Sequence, residues 1–186
     1  MNQLLERLTG GDLRSDGQAN EVADEVIQYP HLSDKLVEGL NEPDDVVRAR
    51  TAHALERISR SHPEMLSAHL PQLIEIAKKD EVPMVRWHIV MIFGNLAVFE
   101  EKADLMISTL LDLLEDRSTF VKSWSIVSLS VMGREYPSVR GEIISRIRAL
   151  QNDESVAIRT KVAKALNVLE NEDLPMPAGW LKSKLL

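Results

Sequence analysis

A pattern that recurs four times along the chain limits its possible folds more than any other sequence feature. The segments EPDDVVRARTAHAL, DEVPMVRWHIVMIF, DRSTFVKSWSIVSL and DESVAIRTKVAKAL align on anchors spaced 38, 36 and 37 residues apart. A large apolar residue follows eight positions after each anchor. Self-similarity at such a period is the signature of a repeat array built from one supersecondary unit. The anchors are Val47, Val85, Val121 and Ile158.

Apolar residues between these segments recur at i, i+3, i+4 and i+7, which indicates helices with one buried stripe. The unit is therefore a helix, a short turn and a second helix, and the fold class is all-α. The predicted helices span 1–9, 17–28, 31–41, 44–60, 63–79, 83–98, 101–115, 119–135, 138–151 and 155–170, with a short terminal helix over 178–185.

Two stretches oppose this simple assignment. The segment FVKSWSIVSLSV, residues 120–131, alternates polar and apolar residues as a strand does. Its register with three clearer helical segments favours a helix, because local and global signals of a foldable sequence agree. Pro71 lies inside the predicted helix 63–79 and should kink or divide it.

Composition narrows the functional class. With 186 residues and 21.0 kDa, the chain can form one domain with a sizeable core. A net charge of -7 argues against a dedicated duplex-binding protein. The absence of cysteine excludes disulfides, a thiol nucleophile and cysteine-based metal sites. No signal-peptide layout or ~20-residue apolar run is present, so we expect a soluble cytoplasmic protein that makes no membrane contact.

The repeated pattern resembles the HEAT-repeat family, in the short bacterial and archaeal type with an acid, then Val-Arg, then small residues and Leu. The resemblance covers about residues 31–170, and Gly94 matches the glycine often found after that Leu. It implies a right-handed α-α superhelix, or solenoid, of about five helical pairs in a single domain over 1–186. Residues 1–30 would form a degenerate capping pair, 31–170 four repeats, and 171–186 a tail or cap.

Each repeat also keeps an acid and a base six residues apart. In proteins that resemble this one such pairs form a ladder between helices, and recurrence in every unit argues against a catalytic role. A carboxylate at a helix start also favours the free N–H groups there. The pairs are Glu42 and Arg48, Asp80 and Arg86, Asp116 and Lys122, and Asp153 and Arg159.

The resemblance further implies that the second helix of each pair lines a concave, partner-binding surface. Counting from the anchors, positions 2, 3, 6 and 10 should be exposed, and these sixteen positions contain no Asp or Glu. They predict an apolar centre with a cationic rim. In the alternative reading, the apolar members pack under a neighbouring helix or subunit. The predicted partner-binding residues are Arg50, His53, Arg57, His88, Met91, Asn95, Trp124, Val127, Val131, Lys161 and Lys164.

No motif in the sequence indicates catalysis or a cofactor. The phosphate-binding patterns GxxxxGK[ST] and GxGxxG and the nucleophile motif GxSxG are absent. His53 and His88 could approach each other, but no third ligand stands at a credible spacing, so we expect no metal. At the C-terminus, Trp180, Leu181 and Leu185 are expected to cover the last repeat. A mobile tail that binds another protein is the alternative.

The leading hypothesis is a non-catalytic scaffold that binds an acidic or amphipathic segment of a partner protein. One alternative is nucleic-acid binding, or an enzyme similar to HEAT-like DNA glycosylases, suggested by Trp87, Trp124 and the flanking bases. The groove carboxylate of those enzymes has no counterpart in the exposed columns here. A second alternative is an assembly factor similar to HEAT-like bilin lyases. The sequence leaves the oligomeric state open.

Overall fold

A computed structural model describes residues 2–186, and every regular element within that range is a helix. The predicted all-α class is confirmed, including the helix over the strand-like segment 120–131. Among these helices, none combines the length and apolarity needed to cross a membrane. The chain forms two compact units, the first extending to Ile92 and the second running from Phe93 to Lys184.

In the first unit, short helices alternate with longer ones. Single 3-10 turns at Pro30–Leu32 and Glu38–Asn41 flank the third helix, so the predicted helix 31–41 is α-helical only at its centre. The helices are α1 (Gln3–Glu6), α2 (Ala19–Gln28), α3 (Ser33–Val37), α4 (Asp45–Ser59), α5 (Glu64–Ser67) and α6 (Leu70–Lys79), followed by α7 (Pro83–Asn95), which ends in the second unit.

The second unit contains two long helices, each preceded by a shorter one. The helices are α8 (Ala103–Asp112), α9 (Thr119–Glu135), α10 (Pro137–Arg148) and α11 (Val156–Glu170). Four 3-10 turns connect or extend them, at Leu96–Val98, Glu100–Lys102, Leu113–Glu115 and Ala149–Asn152.

Two proline-containing regions behave differently. The predicted helix 63–79 is divided into α5 and α6, with Pro71 in the first turn of α6, where its missing N–H costs no hydrogen bond. The predicted terminal helix over 178–185 is wrong, because no helix follows Glu170 in the described chain. Pro175 and Pro177 precede that segment, and Gly179 has a φ of +78°, a value outside the α-helical region.

Three of the four repeat starts are fixed locally by a side-chain cap. The Asp44 carboxylate accepts hydrogen bonds from the N–H groups of Val46 and Val47, at the start of α4. Ser118 caps α9 and Ser155 caps α11 in the same way, each three residues before its anchor. All four anchors are fully buried, so the repeated pattern marks the core-facing start of each second helix.

The helix α9 buries serines as well as apolar residues. The Ser125 hydroxyl donates to the Val121 carbonyl, and the Ser130 hydroxyl donates to the Ile126 carbonyl at 2.7 Å. These bonds to the carbonyl four residues earlier satisfy the hydroxyls inside the core. The strand-like alternation therefore belongs to a helix, in which the buried Ser125 and Ser130 hydroxyls bond to carbonyls of the same helix.

The predicted acid–base ladder joins consecutive repeats within each unit. Arg48 Nε donates to Asp80 Oδ2 at 2.8 Å in the first unit, and Lys122 Nζ donates to Asp153 Oδ2 at 2.7 Å in the second. Burial opposes the charged form of Arg48, but its bonds to Asp80 and Asp45 raise its pKa overall. The base of one repeat thus contacts the acid of the next.

Candidate functional site

The structure divides the predicted partner-binding residues into buried and surface groups. For six of them the expected exposure is wrong, because each is less than one-tenth exposed. Helical phase identifies the side that faces the paired helix, but neighbouring helices also cover the flanks. In the second unit α9 contacts α8, α10 and α11, and in α7 every residue from 88 onward is buried. The buried residues are Arg50, His88, Met91, Asn95, Val127 and Val131.

Arg50 is a structural residue of the first unit. Its guanidinium donates to the carbonyls of Leu8, Thr9 and Gly10 at 2.9, 3.0 and 2.7 Å, and further bonds reach the carbonyls of Asp12 and Ser15. These acceptors belong to residues 8–18, which we call the N-terminal loop. Arg50 therefore holds this loop against α4 and is covered by it.

The other two partner-binding residues predicted in α4, Arg57 and His53, already contact polar groups of the first unit. Arg57 donates to both carboxylate oxygens of Asp24, at 2.9 and 3.2 Å through its Nη2 atom. His53 lies 3.3 Å from the Asn20 amide oxygen and stacks edge-on against His88, with ring centroids 5.0 Å apart. Both residues stay partly exposed, but their polar atoms face groups of the same chain.

The second unit keeps three predicted residues at its surface, and we call them the Trp124 surface. Trp124 on α9 and Lys161 on α11 are partly buried, whereas Lys164 on α11 is exposed. The Lys161 ammonium lies 5.5 Å from the centroid of the Trp124 ring, a cation–π distance. Burial, and then the charge of Lys164, lower the pKa of Lys161.

This surface is locally cationic on an acidic protein. Helices α9 and α11 each contain a single acidic residue, and it is the last residue of the helix: Glu135 in α9 and Glu170 in α11. Neither Lys161 nor Lys164 forms an ion pair with any residue of the range 2–186. Positive charge is therefore left uncompensated beside an exposed part of an indole ring.

Two residues of this site were not among the predicted partner-binding residues, and both lie in the C-terminal tail, residues 175–184. Trp180 is only 6% exposed, and its ring centroid is 4.9 Å from the Lys161 ammonium. The Lys182 ammonium lies 4.7 Å from the Trp124 centroid. The C-terminus was expected to cover the last repeat through Trp180, Leu181 and Leu185. Trp180 is buried beside Lys161 of α11, but the expectation is wrong for Leu181 and Leu185, which are 39% and 58% exposed. The tail is irregular and lies on the Trp124 surface.

A second arginine fixes the turn that connects α11 to the tail. Arg134 on α9 donates to the carbonyls of Val168, Glu172 and Leu174 at 2.8 to 3.0 Å. The Arg140 guanidinium also pairs with the Glu172 carboxylate. These contacts hold the turn after α11, so the chain leaves the last helix in a defined direction toward Trp124.

The residues around Trp124 form a surface suited to binding, and the described part of the chain shows no metal cluster. Within residues 2–186, no group of three or more His, Cys, Asp or Glu side chains is placed to hold a metal ion. The residues near Trp124 supply aromatic faces and ammonium groups, which recognise other side chains through stacking, cation–π contact and ion pairing.

Comparison with known proteins identifies the repeats. The sequence profile of HEAT repeats matches residues 33–130, which is more than half of the chain. No curated protein matches. A designed armadillo repeat protein in complex with the peptide (KR)4 is similar in structure, with a TM-score of 0.65 and 19% identity over 90% of this chain and 80% of that one.

Two further solved structures are similar. A second designed armadillo repeat protein gives a TM-score of 0.62 at 18% identity, covering 89% of this chain and 80% of that one. Armadillo repeat proteins computationally designed for modular peptide recognition give 0.65 at 18% identity, covering 88% and 79%. At these identities the likeness establishes a shared fold.

Proposed function

The chain belongs to the HEAT-repeat family, and from that premise we propose that it is a non-catalytic scaffold that binds a segment of a partner protein on the Trp124 surface. Repeat arrays of this kind use an extended surface of stacked helices for recognition. The proposal concerns α9 and α11 of the second unit. It leaves out the six predicted residues that are buried.

One observation carries the proposal: the Trp124 surface already has a polypeptide segment lying on it. The tail has no regular secondary structure, yet it buries the Trp180 side chain and brings Lys182 over Trp124. A surface that binds an irregular segment of its own chain has the width and chemistry to bind one from another chain. Buried aromatic anchors usually carry most of the energy of such an interface.

The structural relatives add independent support. One designed armadillo repeat protein is in complex with a peptide, and another group was designed for modular peptide recognition. The shared fold makes peptide binding a reasonable function for this chain. The peptide in that complex consists of Lys and Arg. Because the Trp124 surface is itself cationic, we infer that its own partner segment is not basic.

The test is affinity capture from the native cell with matched variants of the full chain. Wild type, Trp124→Ala and Lys164→Glu are compared with Glu142→Ala, which changes an exposed residue of α10 in the same unit. We expect wild type and Glu142→Ala to retain the same proteins, and both Trp124 surface variants to lose them. Circular dichroism checks that every variant remains helical.

Photo-cross-linking maps the contact directly. A benzophenone side chain at Lys164 should cross-link the captured protein through one short segment, whereas the same group at Glu142 should not. Capture that is equal for all four proteins, or cross-linking only from Glu142, would place the partner elsewhere and contradict the proposal.

A further inference from the structure

The tail meets the Trp124 surface with charge of the same sign. Lys161 and Lys182 both place their ammonium groups on the Trp124 ring, at 5.5 and 4.7 Å from its centroid. Lys164 stands one helical turn from Lys161, and its charge contributes to the lowered pKa of Lys161. Two ammonium groups on one indole each gain a cation–π contact, but they repel each other.

Trp180 anchors the tail, but residues 175–184 contain no carboxylate that could pair with Lys161 or Lys164. Trp180 is buried, whereas the adjacent Leu181 remains 39% exposed. Lys184 adds a further positive charge to the tail, and the Lys184 side chain is exposed. A docked segment that buries one large side chain and brings its own cations to a cationic surface is a poor electrostatic match for that surface.

We propose that the tail is an intramolecular competitor that a partner segment displaces, and that the partner segment is acidic and carries an aromatic residue. This inference rests on the proposed function, and it names both the partner chemistry and the regulation of the site. The aromatic residue takes the place of Trp180 beside Lys161. Carboxylates of the partner pair with Lys161 and Lys164, which the tail leaves unpaired.

Competition has a simple quantitative consequence. When the binding-competent state is only a fraction of the population, the apparent dissociation constant rises by the inverse of that fraction. A tail docked about nine-tenths of the time weakens binding about tenfold. Releasing the tail should therefore raise the affinity for a partner segment without any change to the surface itself.

The experiment measures fluorescence anisotropy of labelled synthetic peptides with the full chain. The probe is a twelve-residue peptide with one Trp among Glu and Asp residues. Comparison peptides replace its Trp by Ala or its acids by Lys, and a single-stranded oligonucleotide serves as a polyanion without an indole. The proteins are wild type, Trp180→Ala, and Ala178→Ser, a tail variant at an exposed position. Trp124→Ala/Trp180→Ala reports on the surface.

We expect Trp180→Ala to bind the acidic Trp peptide at least about tenfold more tightly than wild type and Ala178→Ser. The double variant should lose this gain, and the comparison peptides should bind weakly. With wild type, the acidic peptide should also speed tryptic cleavage after Lys182 and Lys184, because displacement frees the tail. This second measurement holds even when a variant folds poorly.

Equal affinity of wild type and Trp180→Ala, with unchanged cleavage at the tail, overturns the competitor role. Tighter binding of the lysine peptide, or equally tight binding of the oligonucleotide, overturns the stated partner chemistry. In either case the proposed function stands as long as native partners are captured in a Trp124-dependent manner. Loss of that dependence would refute the proposed function instead.

Discussion

Both units of the molecule fold a non-helical segment back onto a second helix, but they hold it in different ways. The N-terminal loop lies against α4 and gives five backbone carbonyls to the buried guanidinium of Arg50. The C-terminal tail lies on α9 and α11, and its side chains meet the surface through Trp180 and the two lysine–indole contacts of Trp124.

In our proposal, this difference distinguishes a structural element from an exchangeable one. Hydrogen bonds from a buried charge to fixed carbonyls are specific in geometry, and their loss leaves polar groups unsatisfied. A cation–π contact with a partly exposed ring is tolerant in geometry. It contributes only about 0.5–1 kcal/mol, so its loss to solvent costs little. The same helical position therefore holds a loop in α4, where it is Arg50, and in our proposal it binds a partner in α9, where it is Trp124.

The largest expected effect is on the loop. Arg50→Ala removes the charge that binds the carbonyls of Leu8, Thr9 and Gly10, and it should lower the free energy of unfolding by about 3 kcal/mol. Urea denaturation followed by circular dichroism measures this. Arg57→Ala, which removes an exposed ion pair with Asp24, is the control and should cost less than ~1 kcal/mol. Similar losses for both variants would contradict a special role of Arg50.

Glycines of the loop allow a finer test. Gly17 has a φ of +53°, and a Cβ there would lie 2.7 Å from the Arg50 Cζ atom. Gly17→Ala should cost about 2 kcal/mol, because backbone strain adds to a clash with an immobile guanidinium. Gly10 has a φ of +75° with no atom near an added Cβ, so Gly10→Ala isolates the strain at about 1 kcal/mol. Equal denaturation midpoints for Gly17→Ala and Gly10→Ala would show that the Arg50 guanidinium moves aside for the added Cβ.

The tail should behave as the weaker attachment. Trp180→Ala should cost about 1.5 kcal/mol, below the ~3–5 kcal/mol of a core tryptophan, because the tail can leave the surface without forming a cavity. Hydrogen exchange should rise in the tail and remain unchanged in α9 and α11. Global destabilisation of the size expected for a core tryptophan would mean that the tail is part of the folded core.

The smallest effect concerns the ladder of the second unit and depends on pH. The hydrogen bond from Lys122 lowers the pKa of Asp153, so the pair stabilises the fold above the unfolded value of about 3.9, and this contribution is lost as pH falls through the lower folded value. Lys122→Met should cost about 1 kcal/mol at pH 7.

Urea denaturation of wild type and Lys122→Met at several pH values measures this dependence. The stability difference should shrink as the pH falls below about 3.9 and through the lowered pKa of Asp153, because the carboxyl group becomes protonated. A difference that stays constant between pH 7 and pH 2 would show that the loss comes from packing of the lysine stem. Arg48→Met in the first unit should cost more, since Arg48 also bonds the Glu42 carbonyl and Asp45.

Periodic features of the chain could be predicted from its sequence, and contacts between segments without periodicity could not. The helix α9 was predictable because its register with the three other repeats outweighed its strand-like alternation. The burial of Val127 was not, because the phase of one helix does not show how its neighbours cover its flanks. The burial of Arg50 depends on where the N-terminal loop folds back, and no spacing in the sequence encodes that. Trp180 was expected to cover the last repeat, but its position beside Lys161 could not be predicted for the same reason.

The ladder has a consequence for how such a protein can change in length. Each link runs in one direction, from the base of one repeat to the acid of the next, as from Lys122 to Asp153. A tandem genetic duplication of residues 117–153, which are 37 residues long, would give each copy its own complete link. The array can therefore gain a unit in one step without inventing an interface, and the copies can then diverge at the position of Trp124.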